Sequence, residues 1–336
     1  MPSQSATVLS LLQLARQICQ CAVPPDEAIR KALDRRVAKG DVVRTFRGMY
    51  ADRAYWAALD PNARAWHIVR TLARLHPDWV FAGPSAAVVH GLECPYALSR
   101  DIYRIVPVNH RNPEQRMAHN GITCWTRNHP DITRVDSVNV TTAASTAYDC
   151  ATHFPPNLAL GFADSAVRRG LADVPMLREF CKTQRRGPKW DRAEQVLSLA
   201  DGASENGGES QCRGALFECG CDVPQLQVNV PCLQNPRRMH RPDMMWTRED
   251  GSFVACEFDG ARKYMDPSMV GPQDVRDVVI DERDREDCLR RRGIEVFRLF
   301  YNNLNQTGFL KQLLHDFRVP MNDDIRRRLN VWWGAA

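Results

Sequence analysis

Leu9, Leu11, Leu12, Leu14 and Ile18 form a helical apolar face at the start of the chain. Pro24-Pro25-Asp26 interrupts it, and Pro25 or Asp26 suits the start of a second helix. In DEAIRKALDRRVAKG, Ile29, Leu33 and Val37 recur at four-residue spacing, and Gly40 can cap the end. Two short β-rich runs surround Arg47-Gly48, the pattern of a hairpin. Helices followed by a small hairpin over residues 1–58 predict a winged helix-turn-helix.

Residues 59–190 read as a mixed α+β domain. Helical patterns in RAWHIVRTLARL and SAAVVHGL precede strand-like DIYRIVPV and ITCWTR, and NLALGFADSAVRRG and VPMLREFCKTQ close the block as helices. A basic joint, KTQRRGPKWDR, and a polar, glycine-rich loop, DGASENGGES, lead into a third block over 191–320. Its pattern predicts a helix (209–220), strands (225–230, 241–247, 252–258), a long insert, a helix (281–292) and a last strand (294–300). The expected fold is therefore α+β to α/β in three parts, ending in a mixed sheet flanked by helices, with no internal repeat.

Bulk properties change this picture little. A length of 336 residues suits two or three domains, and a net charge of +5 permits nucleic-acid binding without arguing for it. No run of eighteen apolar residues occurs and MPSQSATVLSLLQLARQICQ lacks a signal-peptide pattern, so a cytoplasmic protein with no membrane partner is expected. The 12 cysteines, among them Cys212, Cys219, Cys221, Cys232 and Cys288, read as buried reduced thiols. None of the first four pairs at the two- to four-residue gap of a zinc knuckle.

The chemistry concentrates in RRMHRPDMMWTREDGSFVACEFDGARKY, residues 237–264. Glu257 and Asp259 are two apart and share one face of a strand, with Val254, Cys256 and Phe258 on the other. Asp243 follows Pro242 on the neighbouring strand. Carboxylates gathered at strand ends are unfavourable unless a cation joins them, and Mg²⁺ or Mn²⁺ is the simplest one. Lys263 would then polarise a water or offset charge on a phosphate. Taken singly, each feature also has a plain structural reading. Asp259-Gly260 can be a turn, Lys263 a surface lysine, and Glu209, three residues after Asn206, part of a helix cap.

A Pro-Asp pair followed across a hairpin by Glu-x-Asp resembles the PD-(D/E)XK nuclease superfamily. The flanks GESQCRGALFECGCDVPQLQV and ERDREDCLRRRGIEVFRLFYNNL resemble its very-short-patch-repair-like (Vsr-like) domain over about 205–305. Glu209, Asp243, Glu257 with Asp259-Gly260, then Glu282, Arg285-Glu286, Leu289 and Gly293 match in order. Two departures stand out: Asp259 occupies the consensus lysine position, and Lys263-Tyr264 replace a histidine. The resemblance implies a metal held by Asp243, Glu257 and the Phe258 carbonyl, with Asp259 assisting, Lys263 orienting water and Glu209 tuning the surroundings.

The front of the chain resembles AbiEi-family antitoxins of type IV toxin–antitoxin systems over about 5–175. The resemblance is carried by Arg36-Val37, Gly40, Val43, Arg44, Arg47-Gly48 and Tyr50, by Pro84-Ser85-Ala86-Ala87 with His90-Gly91-Leu92, and by VTTAASTAYD. It implies that Arg30, Lys31, Arg35, Arg36 and Lys39 on the second helix, and Arg44 and Arg47 on the wing, contact double-stranded DNA. His90, Thr142, Thr146 and Asp149 are expected to be structural. The expectation is a DNA-binding protein with a Mg²⁺-dependent endonuclease domain. The rival is an antitoxin-like autoregulator whose nuclease-like domain is inactive and binds DNA or a cognate toxin; either can be a homodimer.

Overall fold

The computed structural model describes residues 4–107, 121–184, 189–233, 235, 237–260, 285 and 287–330. Its architecture is mixed α+β with several helices and sheets, divided into two compact units, Met1–Asp149 and Cys150–Ala336. Boundaries were expected at 58 and 190. Cys21 and Met49 pack in one apolar cluster with Ile68, Val69, Phe81 and Val140, so residues of the first two expected blocks share a core. The helices expected to close the middle block group with the C-terminal sheet.

In the first unit, α1 (Gln4–Gln17) and α2 (Glu27–Lys39) precede the antiparallel pair β1 (Val42–Phe46) and β2 (Met49–Asp52). Asp26 starts α2 by accepting from the Ile29 N–H at 2.8 Å, and Gly40 ends it at φ +89°, a backbone state open to glycine. Val8, Leu12, Leu33, Val42 and Tyr50 form the core between these elements. The chain continues through α3 (Arg53–Ala58), α4 (Pro61–Leu75), β3 (Val80–Phe81), α5 (Gly83–His90), β4 (Ile102–Val106), β5 (Ile122–Thr126), β6 (Ile132–Val135), β7 (Val138–Thr141) and α6 (Ala143–His153). The sheet runs β5-β4-β3-β7-β6. The β6–β7 hairpin was not anticipated. Its turn residues Asp136 and Ser137 both have positive φ (46° and 68°), so the hairpin closes without the glycine that signals such turns. His90 donates from Nε2 to the Thr141 carbonyl at 2.7 Å, and Arg127 pairs with the buried Asp149, whose carboxyl burial pushes up to about 6.

The second unit begins with α7 (Pro156–Arg168), α8 (Val174–Thr183), α9 (Trp190–Ser198) and α10 (Gly207–Glu218). Four strands follow, β8 (Gln225–Leu226), β9 (Val230–Pro231), β10 (Met239–His240) and β11 (Met244–Thr247). Then come β12 (Phe253–Asp259), helical residues 287–291, β13 (Ile294–Phe300), α11 (Thr307–Asp316) and α12 (Asp323–Asn330). The main sheet runs β13-β12-β11-β8; β12 is antiparallel to β11 and parallel to β13. The strand expected over 225–230 breaks at Gln227 (φ +51°), and Val230 pairs with His240 in a separate small hairpin. The strand expected over 241–247 starts late because Pro242 lacks the N–H a ladder needs. Among the described residues no helix is long and apolar enough to cross a membrane.

The helix α10 is locked onto α7 in two ways. Gly214 lies so close to α7 that a Cβ would meet the Pro156 carbonyl at 2.5 Å. Beside it, Arg213 donates to Asp164 at 2.6 Å, with both side chains withdrawn from water (1% and 0% exposed). Such a pair adds little net stability, but removing one partner strands a buried charge. Arg213→Met should therefore destabilise the unit by about 3–5 kcal/mol. The double variant with Asp164→Leu should recover most of that loss in urea unfolding; equal destabilisation of single and double variants would show that the pair is not what the single variant disturbs.

Candidate active site

The site is built by register. Met244 pairs with Cys256 across the antiparallel β11–β12 ladder. One step further, Asp243 faces Glu257, and directly opposed residues project from the same face. Glu257 is 7% exposed and Glu209, in the first turn of α10, 6%. Gly208 brings α10 against β12: a Cβ there would meet the Phe258 ring at 2.6 Å and the Tyr301 hydroxyl at 2.5 Å. A larger residue would have to displace these rings, so glycine lets α10 seat closely and bring Glu209 to the strand ends.

Gln227 ties two of these carboxylates together. Its side-chain amide donates to Glu209 Oε2 at 3.3 Å and lies 3.4 Å from Asp243 Oδ1. The Phe258 N–H donates to Asp243 Oδ2 at 2.8 Å. Phe258, whose carbonyl the resemblance assigns to a metal, thus also holds Asp243 through its N–H. Glu209 also accepts from the Glu205 N–H at 2.7 Å and the Asn206 amide at 2.6 Å. Glu257 is gripped by Arg285, which reaches its two oxygens at 2.8 and 3.0 Å and the Arg241 carbonyl at 2.7 Å. Asp259 is held by Arg298 at 2.9 Å.

Desolvation dominates the electrostatics. Burial first, and then the neighbouring Asp243 charge, pushes Glu209 up to about 7. Burial also pushes Glu257 up to about 7, against the pull of Arg285, and raises Asp243. Among the described residues, Arg285 acts on Asp243 and Glu257, Arg298 on Glu257 and Asp259, no arginine on Glu209, and Glu205 pairs with Arg241. The carboxylates thus outnumber the guanidiniums, and a divalent cation would balance the excess. Its oxygen donors suit Mg²⁺ or Mn²⁺.

Sequence reasoning singled out Glu209, Asp243, Glu257 and Asp259; in the structure Asp243 acts on both Glu209 and Glu257, and Asp259 acts on Glu257. Lys263 and Glu282 lie outside the described residues. Gln227 and Arg298 were missed because no local pattern marks them, and Arg285 was read as a motif position without a partner. The basic set on the first unit divides by partner. Arg30 pairs with Glu27 and Asp34, Arg44 with Asp34 at 2.8 Å, and Arg36 donates to Ser5 at 2.8 Å. Lys31, Arg35 and Lys39 form an exposed stripe at four-residue spacing on α2, and Arg47 is exposed at the hairpin turn. Lys31 lies 3.8 Å from Glu27, whereas no ion pair holds Arg35, Lys39 or Arg47 among the described residues.

Two mycobacterial proteins resemble the chain. The uncharacterized protein MT2308 of Mycobacterium tuberculosis (strain CDC 1551 / Oshkosh) is 27% identical over 218 residues, covering 65% of this chain and 74% of its own. The uncharacterized protein Rv2248 of Mycobacterium tuberculosis (strain ATCC 25618 / H37Rv) matches with the same identity and coverage. No protein-family model matches the chain, and no solved structure does.

The raised carboxyls set a pH dependence. Folding lifts Glu209 and Glu257 from 4.5 to about 7, so the folded state binds their protons more tightly than the unfolded state. That contribution to stability is complete below 4.5 and is lost as pH rises to about 7. In metal-free protein, Glu257→Gln should flatten the fall in stability between about pH 5 and about pH 8. Urea midpoints at both pH values measure it, and identical slopes for the two proteins would remove Glu257 as a source.

Proposed function

We propose that the second unit is a Mg²⁺-dependent DNA phosphodiesterase of the PD-(D/E)XK, Vsr-like kind. We further propose that the first unit carries a winged helix that binds double-stranded DNA. The observation that carries the first reading is Asp243 opposite Glu257 at the joined ends of β11 and β12, with Glu209 delivered by α10. The order of elements supports it: α10, the antiparallel main-sheet strands β8, β11 and β12 with the small β9–β10 hairpin between the first two, helical residues 287–291, and β13 parallel to β12.

On this reading Asp243 and Glu257 hold the ion. When bound, Mg²⁺ polarises a phosphoryl oxygen and lowers the pKa of a coordinated water. The Phe258 N–H and the Gln227 amide fix the orientation of Asp243. Glu209, with its carboxyl near 7, is suited to exchange a proton at neutral pH. Arg285 must loosen its grip on Glu257 or share it with the ion. The exposed Lys31–Arg35–Lys39 stripe and Arg47 supply phosphate contacts in the first unit.

A second reading has its own support. Arg285 already neutralises Glu257, and Asp259, in the consensus lysine position, is paired to Arg298. A domain compensated in this way would bind DNA or a protein without cleaving, as in an antitoxin-like autoregulator with a cognate toxin.

Plasmid nicking separates the two readings. Wild-type protein should nick supercoiled DNA with Mg²⁺ or Mn²⁺, and Asp243→Ala should lower the rate by at least about 100-fold. DNA binding without metal-dependent nicking would favour the autoregulator. For the first unit, Arg35→Ala with Lys39→Ala should weaken DNA binding and reduce the log–log salt slope by about 0.9 for each phosphate no longer neutralised. An unchanged slope would remove the stripe from the interface.

A further inference from the structure

A second cluster of ligand atoms is gathered by the β9–β10 hairpin and helical residues 287–291. The β9–β10 hairpin pairs His240 with Val230 and Met239 with Pro231, and the Cys232 N–H donates to the Arg238 carbonyl at 2.8 Å. Cys232 and His240 are therefore diagonal neighbours on one face of the hairpin. Helical residues 287–291 bring Cys288 to that face. The two sulfurs and a ring nitrogen of His240 lie within 4.8 Å of one another, and all three residues are buried.

We propose that Cys232, His240 and Cys288 bind a thiophilic transition metal ion, zinc being the expected one. Two thiolates and an imidazole suit zinc and exclude Mg²⁺, so the site differs in kind from the carboxylate cluster. The Nε2 atom of His240 is buried with no hydrogen-bond partner among the described residues, and a bound cation would satisfy such a lone pair. The Leu233 N–H donates to Cys288 Sγ at 3.2 Å, the kind of contact that stabilises a thiolate.

The geometry needs modest rearrangement. Cys288 Sγ is 3.3 Å from Cys232 Sγ. Tetrahedral zinc with bonds of about 2.3 Å would hold the sulfurs about 3.8 Å apart, so they would part slightly to admit the ion. Binding releases the thiol protons, with water or another donor in the fourth position. The ion would staple the hairpin to the helical segment that also carries Arg285. It would thereby fix the guanidinium that reaches Glu257 and the Arg241 carbonyl.

Cobalt titration of the reduced full-length protein tests this directly. Co²⁺ should produce thiolate charge-transfer and tetrahedral d–d absorption, bleached by equimolar Zn²⁺. Zinc should also raise the thermal unfolding temperature. Cys288→Ser and His240→Ala should each weaken zinc binding by more than the roughly 10- to 100-fold caused by losing an outer-shell partner. Cys124→Ser, on the first unit, should bind as wild type. If wild-type protein with all thiols reduced gives no such spectrum, the site is not a metal site. The proposal fails equally if peptide mapping of freshly isolated protein finds Cys232 and Cys288 joined as a disulfide.

Discussion

The pairing of Met244 with Cys256 is the constraint on which the second unit's candidate site depends. Side chains alternate along a strand, so a slip of one residue would turn Glu257 away from Asp243 and move Cys256 into its place. The register is held from both sides. Val254, Ala255 and Cys256 are fully buried, and β13 pairs along the whole of β12, from Phe253 with Ile294 to Asp259 with Phe300. Trp246, Val254 and Phe297 then have no exposed alternative that burial of apolar surface would tolerate.

That scaffold supports an electrostatic load. The carboxylates at the strand ends are poorly solvated, and Glu209 and Glu257 respond by holding protons up to about 7. Arg285 and Arg298 offset part of the charge. The fold contributes the rest through position: the Gly208 contact with Phe258 seats α10, and the Arg213–Asp164 pair keeps it from sliding along α7. A buried ion pair is weak as a source of stability but strict in geometry, which suits a helix that must present one side chain at one place.

The first unit uses charge differently. Its paired residues, Arg30, Arg44 and Asp34, sit between α2 and the β1–β2 hairpin, and Tyr50 donates to the same Asp34 at 2.7 Å. These groups fix the hairpin against the helix. Arg35 and Lys39 lie apart from that network and keep their charge toward solvent, while Lys31 borders it at 3.8 Å from Glu27. Basic residues that look equivalent in DEAIRKALDRRVAKG therefore divide into structural and solvent-facing sets.

Elements under local control were legible along the chain. Asp26 and Gly40 bound α2, Gly48 turns the first hairpin, and apolar runs mark β4, β12 and β13. That Glu257 and Asp259 share a face was equally legible, because strand periodicity needs no partner. Packing settled the rest. Cys21, Met49 and Phe81, far apart in the chain, meet in one core of the first unit. Gln227 acquires its role only when a positive φ turns it between Glu209 and Asp243. Cys232, His240 and Cys288 carry no zinc-knuckle spacing, so their meeting was invisible until the hairpin and the helical segment packed together. Periodicity and capping act over a few residues and can be read along a line; a charge partner or a ligand set is defined by distance in space, which only the packed chain supplies.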